Sequence, residues 1–375
     1  MIYIRQGSNL LKLLYLLSVA GEYPLSSISL LGNARTWQEM IRRLEQVQTI
    51  RIAWNKHTYT IQLLCVSGKR GSRTIRLHRS GLKVLAELGP HVLPYYLSAF
   101  YNHRYTGKRE DIERHHRVAE VLAMTLGANI EMRPYALPSL AIATDPISIT
   151  GPCFYPAKSV KRQGGDAMNK TGFTRMTGLL LSPGQAYIVY NARSSAMKWH
   201  GGGELKAQIQ CEEIARRSAG IQDLRSAILM GHSAASALAT LETANSPYIQ
   251  GYRFDQIYDR IHFIPMCPSG KRLMRLLCVQ GLQEKLREAL FPAAMRLHGF
   301  ADCDCDAIDG DKFILSHLDG DLIRLLRFRW AAQMNSTRRY EIVCYPWQNE
   351  YVAPLFPDAA IRNLPMEPVE RLMSG

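Results

Sequence analysis

Paired cysteines are the first absence in this chain. Eight cysteines, at 65, 153, 211, 267, 278, 303, 305 and 344, are scattered without a CxxC pair or a regular spacing. A chain of 375 residues can bury a full core without a disulfide framework, so the pattern fits reduced thiols of the cytoplasm. Long apolar runs are also missing. The longest, "LLKLLYLLSVAG", is broken by Lys12 and falls far short of the ~20 residues that a membrane span needs. With Arg5 ahead of it the run resembles a signal peptide, but no small-x-small cleavage site follows and the pattern continues as a fold. There is no internal repeat and no low-complexity tract. With 47% apolar and 21% charged residues, wholesale disorder is excluded as well.

Acid is scarce in one region. Residues 1–135 hold 19 Lys/Arg against 9 Asp/Glu, whereas residues 136–375 hold 27 against 23. The window 42–83 carries ten basic residues and one acid, Glu45. Charge concentrated in this way attracts a polyanion, with a merely soluble basic surface as the alternative.

The first ninety residues read as a series of short elements. Leu10 to Ala20 has a helical pattern with Asn9 as N-cap, and Gly21 and Pro24 break it. "LSSISLLG" gives a second short helix. In residues 34–47, Trp37, Met40, Ile41, Leu44 and Val47 share one helical face, with Arg35, Arg42 and Gln46 opposite. "TIRIAW", "TYTIQLLCV" and "RTIRLHR" are strand-like, and "SGKRGS" is a flexible basic turn. Three helices followed by a hairpin with a basic tip is the order of a winged helix-turn-helix. There, the third helix enters a major groove about 12 Å wide and the hairpin lies along the backbone. The DNA-facing residues would be Arg35, Gln38, Arg42, Arg43 and Gln46 on the helix and Lys69, Arg70, Arg73 and Arg76 on the wing. A winged helix used for protein docking is the competing reading.

Residues 91–135 read as a helical linker. In it, His115 and His116 point about 100° apart on a helix and cannot chelate one metal together. "RPYALPSLAIATDP", with three prolines in thirteen residues, marks the boundary to residues 136–375. Those residues alternate helical and strand-like patterns in the manner of a mixed α/β domain, so the whole chain is of the α+β class.

Together, the winged-helix order, "RHHRVAEVL", "TRMTGLLL…AYIVYN", "YDRIHFIPM" and "ILSHLDGDLIRLLRF" give a resemblance to replication-relaxation-type proteins of Gram-positive plasmids and integrative elements. The resemblance implies a restriction-endonuclease-like C-terminal domain and work on mobile-element DNA, in replication, transfer or transcriptional control. The implied partners are duplex DNA and, beyond it, relaxase or replication proteins or a second copy of the chain. No cofactor and no metal are expected.

Three constellations bear on catalysis. A nuclease core needs an Asp on one strand and Glu-x-Lys on its neighbour to hold Mg²⁺. The strand positions hold Arg175, Gly178, Val189 and Asn191 instead, leaving Asp166, Glu204 and Lys206 as the nuclease candidates. "LMGHSAA" has the order of a nucleophile elbow around Ser233, but Ala235 replaces the second glycine; Asp259 and His298 would have to complete a triad. "DCDCDAIDGD" aligns Asp302, Asp304 and Asp306 with a calcium loop, but Ala307 and Phe313 stand where Gly and Glu are required. It reads as a solvated acidic loop, and the expected protein binds DNA without catalysis.

Overall fold

The computed structural model describes all residues except 70, 101–108, 135–136, 138–148, 164–174, 198–201, 245–252, 297–302 and 375. The protein is mixed α and β with several small sheets. It divides into two compact units, Met1–Ala143 with Cys153–Leu179, and Thr144–Pro152 with Leu180–Gly375. Residues 153–179, expected beyond the boundary at 135, therefore belong with the N-terminal residues. The reason is a pairing distant in sequence: β7 (Glu131–Met132) runs parallel to β8 (Cys153–Pro156).

The first unit contains two three-stranded sheets. One joins β1 (Ile2–Ile4), β3 (Gln48–Ile52) and β4 (Thr58–Ile61); the other joins β2 (Glu22–Pro24), β6 (Thr74–Leu77) and β5 (Leu64–Ser67). Between them run α1 (Asn9–Ala20), a 3-10 turn at Leu25–Leu31 and α2 (Ala34–Leu44). The cap of α1 is Ser8 rather than Asn9, its Oγ accepting the Leu11 N–H at 3.3 Å. "TYTIQLLCV", expected as one strand, breaks at Gln62–Leu63 because the Leu63 N–H turns to the Leu44 carbonyl at 3.1 Å.

The expected linker is core. After a short α3 (Leu82–Ala86), it folds as α4 (Val92–Ala99) and α5 (Arg109–Gly127). Ala119, Val121, Leu122, Ala123 and Met124 in the second half of α5 are all within 1% of full burial, so this half of the helix is enclosed rather than bridging. Its two histidines fasten it to the N-terminal elements by separate bonds. His115 Nε2–H donates to the Ala20 carbonyl at 2.7 Å, and His116 Nε2 lies 2.9 Å from Glu22 Oε1. After β8, α6 (Ala157–Gln163) leads to β9 (Met176–Ser182), within which the chain passes from the first unit to the second.

In the second unit, β10 (Gln185–Arg193), β11 (Ser226–Gly231) and β12 (Arg260–Pro265) are parallel. They are connected through α7 (Gly202–Ala219), α8 (Ala234–Ala244) and α9 (Phe254–Ile257). Their continuous apolar runs reflect burial on both faces. Next come α10 (Pro268–Leu276) and α11 (Leu282–Leu290), separated by a turn that ends at Gly281, whose φ is +67°. A second sheet follows, in the order β13 (Ala307–Asp309), β14 (Lys312–Ser316), β15 (Arg339–Cys344), β16 (Ala360–Asn363). Its helices are α12 (Leu322–Met334), α13 (Asn349–Leu355) and α14 (Met366–Ser374). The turn 317–321 links the two sheets: the Phe263 N–H donates to the Gly320 carbonyl at 2.9 Å. Gly320 sits at φ +72°, and a Cβ there would lie 2.9 Å from the Phe263 oxygen, so this turn needs glycine.

Burial lowers the His115 pKa to about 3, against ~6.5 for an unfolded histidine. The unfolded chain binds this proton more readily. The neutral ring's contribution is therefore intact above pH ~6.5 and is lost, at about 1.4 kcal/mol per pH unit, as pH falls from there toward 3. His115→Gln keeps a donor for Ala20 and removes the titration. Urea unfolding should show a shallower loss of stability between pH 6 and 4 in the variant than in the parent.

Candidate nucleic-acid interface

The helix α2 begins at Asn33, whose Oδ1 accepts the Thr36 N–H at 3.2 Å. Trp37, Ile41 and Leu44 are buried, and Arg35, Gln38, Arg42, Arg43 and Gln46 are exposed. Val47, expected on the inner face, is 64% exposed because the helix ends at Leu44. Arg35 pairs with Glu39 at 3.3 Å. Both side chains are open to solvent, so the pair contributes little and yields readily to another anion.

The hairpin β5–β6 is antiparallel and closes at Ser67↔Thr74. Lys69 and Arg73 stand exposed at its tip; Arg70 lies outside the described residues. Arg76 does not join them. It is half-buried, and its Nε donates to the Cys65 sulfur at 3.0 Å across the strand pair. The strand alternates, so Arg76 packs into the sheet two residues after Thr74 instead of extending from the tip. Helix and hairpin are tied together by Glu45, whose Oε1 accepts the Val66 N–H at 3.2 Å. Between them lies an open cavity of about 460 Å³, lined among others by Gln38, Ile41, Arg42, Glu45, Val66 and Arg73. Residues 46–86 contain no carboxylate. The result is two exposed cationic elements held at a fixed spacing over a polar groove.

The catalytic candidates do not assemble. Glu204 is buried and Lys206 exposed, both in the first turn of α7. On a strand, residues two apart share a face; on a helix they diverge by about 200°, so this Glu-x-Lys cannot act as a pair. Asp166 lies outside the described residues. At the strand positions, a Cβ on Gly178 would fall 2.2 Å from Phe154 Cζ, leaving no room for a carboxylate. Val189 is core, and Asn191 Oδ1 accepts the Arg193 N–H at 3.0 Å. Ser233 follows the C-terminal end of β11, whereas Asp259 precedes β12. The register Ser226↔Arg260, Gly231↔Pro265 puts these two residues at opposite ends of the strands, about 20 Å apart. His298, the third triad candidate, and Asp302 of the acidic loop are not among the described residues.

The acidic loop is paired rather than simply solvated. Asp304 and Asp306 each accept from Arg324 at 3.0 Å, and Asp306 Oδ2 also accepts the Ser316 N–H at 2.7 Å. Asp311 pairs with Arg339. Beside this pairing lies a polar cluster that sequence reasoning missed. His262 Nδ1–H donates to the Asp319 carbonyl at 3.0 Å, and His317 Nε2 lies 2.9 Å from the Tyr351 hydroxyl. Asp321 Oδ1 accepts the Ile261 and Ile323 N–H groups at 3.3 and 3.0 Å, capping α12. Burial pushes Asp321 up to about 6 and His317 down to about 4. The available signal was "DGD" directly before an apolar helical run, an N-cap pattern.

Comparison with protein-family models, with curated proteins and with solved structures yields no match.

Arg324 is 6% exposed and Asp306 4%. Removing one partner of a buried pair leaves an uncompensated charge, a cost of about 3–5 kcal/mol. Arg324→Met should lower urea-unfolding stability by that amount. Adding Asp306→Asn should recover part of the loss, since the two residues share one interaction.

Proposed function

We propose that the first unit binds duplex DNA as a winged helix, with α2 as the reading helix and the β5–β6 hairpin as the wing. The observation that carries this reading is the pairing of an exposed Arg/Gln face on α2 with a cationic hairpin tip, joined through Glu45, the one acid in residues 40–86. The strand order β2-β6-β5 supports it, since a short strand after the first helix pairs with the second strand of the wing. Arg35, Gln38, Arg42 and Gln46 would approach base edges, where Arg suits guanine and Gln suits adenine. Arg43, Lys69, Arg70 and Arg73 would meet phosphates, which position the protein without reading sequence. The resemblance to replication-relaxation-type proteins makes mobile-element replication, transfer or transcriptional control the setting of this activity. A metal-dependent nuclease has less support, with Glu204 and Lys206 on different faces of one helix. A protein-docking scaffold would leave the acid-free stretch unexplained.

Simultaneous Lys69→Ala, Arg70→Ala and Arg73→Ala should weaken binding to every duplex sequence. It should also flatten the plot of log affinity against log salt by ~0.9 for each phosphate that is no longer neutralised. Fluorescence anisotropy with random duplex at several salt concentrations measures both quantities. An unchanged slope would remove the hairpin from the interface.

A further inference from the structure

A second surface of the first unit belongs neither to α2 nor to the hairpin. In the sheet β1-β3-β4, Tyr3 lies opposite Arg51 and Arg51 opposite Thr58, so the three side chains form one row on one face. The next row on that face is Thr49 opposite Thr60, with their hydroxyls 3.4 Å apart. The other face carries Ile4, Ile50, Ile52 and Ile61, all buried. The apolar residues of this sheet are thus used on one side, and the side facing solvent keeps an aromatic ring. Tyr3 is 43% exposed, and Trp54, in the turn joining β3 to β4, is 41% exposed.

One carboxylate, Glu87, reaches the β3–β4 turn, where it is taken up by Asn55, His57 and Tyr59, and the cations around the two rings are left unneutralised. Arg5, Arg51 and Lys56 have no carboxylate partner among the described residues, and no acid occurs in residues 1–21 or 46–86. The Arg5 guanidinium lies 5.3 Å from the centre of the Tyr3 ring, so the ring already accepts a flat π-system on its face. A nucleobase has the same requirement. Exposed rings offer little to a phosphate and cannot reach a base locked in a paired stack, but they suit unpaired bases. Cations without acids suit the backbone that connects those bases.

We propose that this sheet face binds single-stranded nucleic acid. Unpaired bases stack on Tyr3 and Trp54, and the strand's phosphates meet Arg5, Arg51 and Lys56. This site does not depend on the duplex reading of α2. Together the two would place the protein where paired and unpaired strands adjoin.

The test is fluorescence anisotropy of the full chain with labelled oligo(dT) and, separately, labelled duplex. Tyr3→Leu and Trp54→Leu should each weaken oligo(dT) binding by about 5- to 150-fold, the equivalent of the ~1–3 kcal/mol that one stacked base contributes. Duplex affinity should stay within about two-fold, since no duplex contact is touched. Tyr3→Phe should retain oligo(dT) binding, and the triple hairpin variant should weaken duplex binding while keeping oligo(dT). Circular dichroism identifies any leucine variant that does not fold; Arg51→Gln, expected to reduce the salt dependence of oligo(dT) binding, then stands in for it. The proposal is overturned if the parent does not bind oligo(dT), or if its affinity is unchanged in the variants. It is also overturned if polyglutamate displaces the label as well as unlabelled oligo(dT), which would make the face a docking surface for acidic protein.

Discussion

Between Glu39 and Glu87 the chain has one carboxylate, Glu45, and it is used inside the fold. In the order β2-β6-β5, β5 is an edge strand with outward N–H groups that no neighbouring strand can satisfy. The Glu45 carboxylate, at the C-terminal end of α2, accepts one of them from Val66. A hydrogen bond to a charged group contributes about 1.5–3 kcal/mol. It is reinforced by the backbone bond from Leu63 to the Leu44 carbonyl. Helix α2 cannot turn without moving the hairpin, and the spacing of the two cationic surfaces follows from that. An acid at the tip would subtract from the potential there; this one is set back at the end of α2, bonded to Val66.

The same scarcity of acid governs how the first unit is held together. A cationic surface gains nothing from a scaffold of surface ion pairs, which would neutralise it. The unit instead relies on leucines of α1, the isoleucines beneath β1-β3-β4 and the enclosed helix α5. Where polar groups lie inside, they are paired: the Glu120 carboxylate accepts from the Ser27 hydroxyl at 2.7 Å. His115 is held uncharged against the Ala20 carbonyl, and His116 faces Glu22. The adjacent histidines that could suggest a metal are two separate fasteners, one at the end of α1 and the other at the start of β2.

Much of this was legible in the sequence where the cause is local. The helical spacing of Trp37, Ile41 and Leu44 marked α2 and its outer face, and the β-branched runs marked the strands. The errors came from longer-range causes. Nothing near Arg76 indicates that its guanidinium turns to Cys65 across the sheet. Val47 fits the wheel of α2, but the helix ends before it because the Glu45 N–H closes on Ile41 and Arg43. The acids at 304 and 306 read as solvated because their partner, Arg324, is eighteen or more residues away. The β1 strand could not be foreseen at all: three residues acquire their meaning only by pairing with β3, some fifty positions later.

In the second unit, the physical cost of burying charge decides how the "HLDGD" turn is to be understood. Asp306, Asp319 and Asp321 are all nearly inaccessible, and Arg324 is the guanidinium among them. Three ionised carboxylates against one such cation would not be tolerated in a low-dielectric interior. Burial answers this by making Asp321 easier to protonate, raising it to about 6, while neighbouring His262 and Arg324 help keep Asp319 ionised. Asp321 also commits Oδ1 to two backbone N–H groups, which fixes the start of α12 and the end of β12 together. A cavity of about 240 Å³ reaches His262 and Asp319, but His262 Nδ1 is already committed to the Asp319 carbonyl and Asp319 Oδ1 to the Asp321 N–H. Their first role is therefore to lock the two sheets of this unit in register, and any chemistry there would have to break a bond that holds the fold.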